Sequence, residues 1–195
     1  MKLYMSPGSG NAYKVRLLLE MLKVPYEKYN LDTKNKEHKQ PAFLAINPRG
    51  QMPALEDDGK KFWDSTACLV YVARKHGEGK WLPTDAAGEA EIQQWLALSN
   101  NECHYGLQWS RNVKLNMKQG SLEEYQGYGT KGLDILEARL KGNDWLALGR
   151  PTIADLACYP YVVVSPEGGF DLSKYPAVQA WMKRIESLPG WVKKQ

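Results

Sequence analysis

The chain has 195 residues, 43% of them hydrophobic, which is enough to bury one large core or two smaller ones. Its 26 basic and 22 acidic residues are interspersed and give a net charge of +4, so the composition does not favour a nucleic-acid partner. Three cysteines without a C-x-x-C pair indicate neither a disulfide framework nor a zinc site, and no apolar run reaches membrane-spanning length. We therefore expect a cytoplasmic protein with no bound metal and no membrane partner.

The N-terminal half alternates short strands with helices. The predicted strands cover residues 3–5, 26–31, 54–56 and 61–63. The predicted helices cover residues 11–22, 41–46 and 65–76. The last two strands flank Asp57-Asp58-Gly59, which is a hairpin signal. The order β-α-β-α-β-β-α predicts a thioredoxin-like domain over residues 1–78.

The C-terminal half is predicted to be all-helical over residues 89–195, after a linker over 79–88 that is rich in Gly and Pro. Its predicted helices cover residues 89–115, 122–140, 152–164 and 175–188. We expect Pro160 to kink or shorten the third of these helices, because proline lacks a backbone N–H. Thr152-Ile153-Ala154-Asp155 has the form of a capping box, in which Asp155 has a structural rather than a catalytic role.

Residues 47–55 contain the first sequence pattern that indicates a ligand-binding site. Pro53 opens a predicted strand, and proline belongs at the first residue of a strand because it cannot donate a ladder hydrogen bond. A bond from any residue to proline is also the ordinary place for a cis peptide. A cis bond between Met52 and Pro53 would turn the N–H and C=O of Met52 outward, where they can pair with an extended, peptide-like ligand.

The second pattern covers residues 63–67, where Asp64 and Ser65 end one strand and open a helix. We expect Ser65 to cap this helix through its hydroxyl. The N-terminus of a helix favours an anionic group, so a ligand carboxylate is expected here.

Four markers in order along the chain resemble the cytosolic-type glutathione S-transferase superfamily, in its serine-type, bacterial-like or phi/theta-like form. They are Ser9-Gly10-Asn11, Gln51-Met52-Pro53, Asp64-Ser65, and the run of residues 149–155. The resemblance spans nearly the whole chain and implies a thioredoxin-like α/β domain followed by an all-α domain. It also implies a homodimer, a role in detoxification, and glutathione as co-substrate with no permanently bound cofactor.

An enzyme of this kind must stabilise the glutathione sulfur as an anion, because a free thiol with a pKa near 8.5 is mostly protonated at neutral pH. A hydroxyl near the N-terminus of the first helix can donate to the thiolate. By resemblance to the serine-type members, this donor is Ser9. Met5 stands where tyrosine-type members have their donor and cannot donate. Ser6 and the Asn11 amide are the alternatives, and the opposing interpretation makes both serines turn residues and Asn11 an N-cap.

The resemblance also implies the remaining contacts with glutathione. Met52 pairs its backbone with the cysteinyl part, Ser65 binds the γ-glutamyl carboxylate, and Asp64 faces the γ-glutamyl ammonium. The family more often has Glu at the position of Asp64, which makes the reach here one methylene shorter. Further implied contacts come from His38, Lys39, Gln51 and Pro53. His38 and Lys39 match positions that bind the glycine carboxylate, although both are also compatible with simple solvation.

The second substrate implied by the resemblance is a small apolar electrophile bound against the first helix of the helical domain. Its candidate pocket residues are Met5, Gly8, Tyr105, Trp109 and Asn112. The alternative is that Tyr105 and Trp109 are core or dimer contacts.

Several functions fit this fold. Conjugation of glutathione to an electrophile is the leading prediction. A non-catalytic glutathione-binding or ligand-binding protein and a glutathione-dependent isomerase are the alternatives. A thiol oxidoreductase is disfavoured because residues 6–12 contain no cysteine.

Overall fold

The computed structural model describes residues 1–194, and the chain divides into two compact units. The second unit covers Lys80–Leu188, and the first covers what precedes and follows it. The C-terminal segment therefore belongs to the first unit, whereas the sequence analysis assigned it to the helical domain. The physical reason is local contact, since the Tyr13 hydroxyl donates to the Val192 carbonyl at 2.7 Å.

The first unit is built on a four-stranded mixed sheet with the strand order β2-β1-β3-β4. The strands are β1 Lys2–Met5, β2 Glu27–Asn30, β3 Ala54–Asp57 and β4 Lys60–Trp63. The helices are α1 Gly10–Met21, α2 Pro41–Leu44 and α3 Ser65–His76, with a 3-10 turn at Glu37–Lys39. β1 is parallel to β2, and β3 is antiparallel to both β1 and β4. This order of elements is the thioredoxin-like order that the sequence predicts.

Two hydrophobic layers hold this unit together. On one side α1 and α3 pack against each other, and their apolar side chains, such as Leu18 and Leu69, are fully buried. A smaller cluster is formed by Tyr4, Leu31, Phe43 and Ala54, and the side chain of Met52 packs against it. This cluster fixes the position of the loop that precedes β3.

The second unit is all-helical. Its α-helices are α4 Ala86–Leu98, α5 Trp109–Lys114, α6 Leu122–Leu140, α7 Ile153–Val164 and α8 Pro176–Glu186. A π-helical segment, Ser99–Gln108, joins α4 to α5. Helix α4 begins within the predicted linker because Asp85 is its N-cap and accepts the Gly88 N–H at 2.8 Å.

The long helix predicted over residues 89–115 corresponds to a continuous helical stretch over residues 86–114, but the prediction missed that its middle, Ser99–Gln108, is π-helical. The π-helical segment lies very close to α6. A Cβ atom on Gly106 would lie 2.2 Å from the backbone nitrogen of Gly129. This contact joins two helical segments that are separate in sequence, so the hydrophobic periodicity of either segment does not predict it.

Helix α7 has the predicted capping box. The Thr152 N–H donates to Asp155 Oδ2 at 2.9 Å, and the Thr152 hydroxyl oxygen accepts the Ala154 N–H at 3.3 Å. Asp155 also accepts from Trp181 Nε1 at 2.9 Å. Burial raises the pKa of the Asp155 carboxyl, and these donors oppose that rise. Pro160 lies inside α7 and does not shorten it.

None of the helices within residues 1–194 is both long and apolar enough to cross a membrane. The same residues gather no cluster of three or more side chains suited to holding a metal ion.

Candidate functional site

Ser9 is the N-cap of α1. Its hydroxyl oxygen accepts the Ala12 N–H at 3.2 Å, and its backbone is extended at φ −70° and ψ 111°. A serine hydroxyl has one donor and two acceptor positions, so the proton stays available after this bond. The structure gives that proton no acceptor within residues 1–194. The interpretation of Asn11 as N-cap is wrong, because α1 begins at Gly10 and places Asn11 inside the helix.

The residues just before Ser9 shape a turn. The Ser9 N–H donates to the Ser6 carbonyl at 3.3 Å, and Gly8 has a positive φ of 80° that favours glycine. Met5 is buried at the end of β1, and Ser6 is also buried, whereas Ser9 is half-buried. Ser9 is therefore the better exposed of the two candidate serines.

The N-cap of α3 is Asp64, so the prediction that Ser65 caps this helix is wrong. Asp64 Oδ1 accepts the Thr66 N–H at 2.8 Å and the Ala67 N–H at 3.3 Å. Asp64 has a φ of 74° and a ψ of 129°, outside the left-handed helical region that Asp and Asn tolerate, so its backbone is strained. Its second oxygen, Oδ2, lies 3.6 Å from Nη1 of the half-exposed Arg49. Asp64 thus uses one oxygen for the helix and offers the other to a cation.

Ser65 occupies the first position of α3 and is buried. Its hydroxyl donates to Asn11 Oδ1 at 3.1 Å, which ties the first turn of α3 to the first turn of α1. The Ser65 N–H has no partner within residues 1–194. The N-terminal ends of α1 and α3 therefore lie side by side, and the positive end of each helix dipole favours an anion there.

Asn47 organises the loop before β3, a role that the sequence analysis missed. Asn47 is buried, its amide Nδ2 donates to the Gln51 carbonyl at 2.6 Å, and its Oδ1 accepts the Arg49 N–H at 3.0 Å. The available sequence signal was the Asn-Pro pair at residues 47–48, since an Asn side chain favours such turns.

The loop ends in a cis peptide bond between Met52 and Pro53, as the sequence analysis considered. The side chain of Met52 is held by the small cluster, and its backbone N–H and C=O have no partner among residues 1–194. Pro53 is buried, and Gln51 is exposed. Met52 is thus a rigidly held backbone donor and acceptor.

Lys39 also supports this loop. Its Nζ donates to the Gly50 carbonyl at 2.7 Å and lies 3.4 Å from the Arg49 carbonyl. His38 precedes it in the same 3-10 turn, and His38 Nδ1 is buried with no hydrogen-bond partner in the described part of the chain. The structure therefore gives Lys39 a structural contact, and its contact with a glycine carboxylate stays a prediction.

In the helical unit, Tyr105 and Trp109 lie side by side with ring centroids 4.3 Å apart. Both line a groove of about 550 Å³. Two carboxylates, Glu102 and Glu124, line the same groove, which the sequence analysis did not anticipate. Asn112 is not among the lining residues, and its Oδ1 accepts from Gln108 Nε2 at 2.9 Å. The structure thus brings two of the three predicted residues of this unit together.

The three cysteines are buried, free thiols. Burial raises the pKa of the Cys68 thiol to about 12, and the charge of Asp64 adds to the rise. A protein thiolate at Cys68 is therefore unavailable at neutral pH.

Two family models cover most of the chain. Residues 1–74 match the N-terminal domain of glutathione S-transferase, and residues 101–189 match its C-terminal domain. The chain belongs to the glutathione S-transferase family. The predicted fold class, a thioredoxin-like domain followed by an all-helical domain, is thereby confirmed.

Two similar proteins come from a bacterium and a plant. The chain is 30% identical to disulfide-bond oxidoreductase YfcG of Escherichia coli strain K12, over 96% of this chain and 91% of that protein. It is 31% identical to glutathione S-transferase 3 of Zea mays, over 99% of this chain and 92% of that protein.

Two solved structures resemble this chain over nearly its whole length. A glutathione S-transferase from Pseudomonas fluorescens matches with a TM-score of 0.92 and 34% identity, over 99% of this chain and 98% of that one. A protein described as a possible glutathione S-transferase from Rhodopseudomonas palustris matches with a TM-score of 0.91 and 36% identity, over 99% and 97%.

Proposed function

We propose that this protein is a glutathione transferase that joins the thiolate of glutathione to small apolar electrophiles. Membership of the family supports glutathione as the ligand or co-substrate. The observation that carries the proposal is the state of Ser9. Its hydroxyl is fixed by the Ala12 N–H at the positive end of α1, and its proton is left to donate.

In the proposed mechanism Ser9 donates its proton in a hydrogen bond to the glutathione sulfur. This bond and the dipole of α1 both favour the anionic form, so the thiol pKa falls. A fall of one to two units corresponds to about 1.4–2.7 kcal/mol of stabilisation of the thiolate. A fall of two units would place the pKa of the bound thiol near 6.5, so that most of the bound glutathione is ionised at neutral pH.

The rest of the first unit positions glutathione. The free backbone groups of Met52 pair with the cysteinyl part of the tripeptide. The Ser65 N–H donates to the γ-glutamyl carboxylate, and Asp64 Oδ2 accepts from the γ-glutamyl ammonium in competition with Arg49. The contacts with Met52, Ser65 and Asp64 hold the glutathione sulfur near Ser9. Binding of glutathione thereby orients its sulfur for the reaction.

The chemical step is attack by the thiolate on an electrophilic carbon. A sulfur electron pair forms the new C–S bond, and the leaving group departs with the electron pair of the bond that breaks. The thiol proton has already gone to solvent. Tyr105 and Trp109 are the proposed contribution of the helical unit to the apolar second-substrate pocket. A homodimer and a detoxifying role in the cytoplasm complete the proposal and are supported by family resemblance alone.

The chain contains a matched pair of variants for testing Ser9. Ser121 caps α6 in the same way, since its hydroxyl accepts the Glu124 N–H at 3.2 Å. Ser9→Ala and Ser121→Ala each remove an equivalent cap, and each should lower the free energy of unfolding by about 0.5–2 kcal/mol. Only Ser9→Ala should also lower kcat with 1-chloro-2,4-dinitrobenzene, by about tenfold or more, while glutathione binding is retained.

Equal turnover in the two variants would eliminate Ser9 as the sulfur donor. In that case Ser6→Ala and Asn11→Ala, measured in the same assay, would identify the alternative donor. Turnover that is absent from the wild-type protein, together with normal glutathione binding, would favour the non-catalytic binding protein.

A second candidate function is reduction of disulfides. It is favoured by the similarity to the Escherichia coli protein named as a disulfide-bond oxidoreductase. Because Cys68 is buried with a raised thiol pKa, the electrons would come from glutathione. Two glutathione thiols would reduce one substrate disulfide to two thiols and leave as glutathione disulfide. Comparing turnover of 2-hydroxyethyl disulfide with turnover of an aryl chloride separates the two functions.

A further inference from the structure

The groove in the helical unit contains Tyr105 and Trp109, so an inference about its ligand rests on the proposed second-substrate pocket and narrows the class of that substrate. Its walls are aromatic. Trp109 contacts Tyr105 and also meets Tyr125 edge-on, with ring centroids 5.2 Å apart. Tyr128 lines the same groove, and both it and Tyr105 are among the exposed large side chains of the protein. Four rings thus surround a space of about 550 Å³, within the range of small-molecule sites.

The same groove is acidic. Glu102 is half-buried and Glu124 is exposed, and both line it. Neither carboxylate forms an ion pair with any residue from 1 to 194. Glu124 is held at its backbone by the Ser121 cap, which leaves the side chain free to turn toward a ligand. Two negative charges beside aromatic faces disfavour an anion and favour a cation, and the nearby Lys118 offsets part of this charge.

One wall of the groove already holds a cation from the protein itself. The Nζ atom of Lys118 lies 3.9 Å from the centroid of the Trp109 ring. A cation within about 6 Å of an indole centroid is attracted by the ring quadrupole. One face of Trp109 therefore already accepts a cation, and a ligand cation on that face would displace the Lys118 ammonium.

We propose that this groove is a binding site for an organic cation, specifically an aryl or alkyl ammonium compound. The aromatic rings contact the apolar body and the alkylated nitrogen, and Glu102 and Glu124 supply the opposite charge. This combination explains why rings and carboxylates share one cavity. The second substrate would then be an electrophile that carries a positive charge beside its apolar body.

A matched pair of ligands tests the charge directly. The compound 3-hydroxyphenyltrimethylammonium carries a fixed positive charge, and 3-tert-butylphenol has nearly the same shape without it. Isothermal titration calorimetry of the full chain without glutathione should show several-fold tighter binding of the cation. Added salt should weaken binding of the cation and leave binding of the phenol almost unchanged.

The variants isolate the two carboxylates. The double variant Glu102→Gln with Glu124→Gln should lower the ratio of cation affinity to phenol affinity about fivefold or more. Glu123→Gln is the matched control, because Glu123 is an exposed carboxylate in the same first turn of α6 and does not line the groove. It should leave the ratio almost unchanged. Lys118→Ala removes a nearby positive charge and should raise the ratio.

Equal affinity for the two ligands, or no binding of the cation, would overturn the proposal. An equal effect of Glu123→Gln and the double variant would overturn it as well, because the charge effect would then be general. If the groove variants change only the association state in sedimentation, the groove is a contact between copies of the chain and the proposal is wrong. None of these readouts uses glutathione, so a failure here is distinguishable from a failure of the proposed transferase activity.

Discussion

Ser9 and Asp64 each combine a structural role with a proposed role in binding. Each is the N-cap of a helix, and each has one polar group that the cap does not use. These groups are the hydroxyl proton of Ser9 and the Oδ2 atom of Asp64. A cap fixes the side chain at little conformational cost, so the reserved group points in a defined direction. A substitution by alanine therefore removes the helix cap and the proposed ligand contact at once.

Asp64 can be separated into its two roles by comparing two substitutions. Asp64→Asn keeps the shape of the side chain and an oxygen for the cap, but it removes the charge. We expect unchanged stability and a rise of about tenfold in KM for glutathione, since a hydrogen bond to a charged group is lost. Asp64→Ala should show the same rise and also lower the free energy of unfolding by about 1 kcal/mol.

Steady-state kinetics and chemical denaturation of both variants check this prediction. A wild-type KM in Asp64→Asn would show that the γ-glutamyl ammonium does not use this carboxylate. The carboxylate would then serve only α3 and Arg49.

The sequence located these residues but misjudged their local roles. Asp64 and Ser65 are both good cap residues, and the backbone conformation that decides between them is set by the end of β4. The bond from Ser65 to Asn11 and the bonds that Asn47 makes inside its loop join residues that share no periodic pattern. Such contacts follow from the fold and could not be predicted from motif spacing.

At the scale of the elements, α6 lies close to the π-helical segment through glycines. A Cβ atom on Gly129 would lie 2.4 Å from Phe170, and one on Gly106 would collide with the backbone of Gly129. Because a backbone cannot turn aside as a flexible side chain can, this contact specifies glycine at position 106.

Two glycine substitutions test this packing. Gly106→Ala should lower the free energy of unfolding by about 1–3 kcal/mol, the usual range for overpacking. Gly127→Ala is the control, because Gly127 lies inside α6 with nothing within 4 Å of an added Cβ. It should raise stability by up to about 1 kcal/mol, since alanine favours a helix. Thermal and urea unfolding of both variants would contradict this account if the two changes had the same sign.

Element boundaries were predictable where local signals are strong. The predicted helices over 65–76 and 122–140 coincide with α3 and α6, and the Asp57-Asp58-Gly59 hairpin joins β3 to β4. For residues 89–115 the sequence predicted a helix but not the π-helical segment in its middle. Pro160 does not shorten α7, in which it is buried.

At the scale of the whole molecule, the order of elements and four short motifs were sufficient to predict the fold class and the family. The groove between the π-helical segment and α6 was not predictable in the same way. Its aromatic residues have helical spacing, but its acidic residues come from two separate helical segments that only packing brings together. The sequence also did not predict the extent of the two units, because the segment that follows Leu188 belongs to the first unit.

The measurement that tests the central claim most directly is a titration of the bound glutathione thiol, followed by thiolate absorbance against pH. The account predicts an apparent pKa one to two units below the free value near 8.5, so the thiolate fraction and kcat/KM both rise with a midpoint at about pH 6.5–7.5. In Ser9→Ala the apparent pKa should return toward the free value. Glutathione that binds the wild-type protein with an unshifted thiol pKa would contradict thiolate activation and leave a binding protein on the transferase fold.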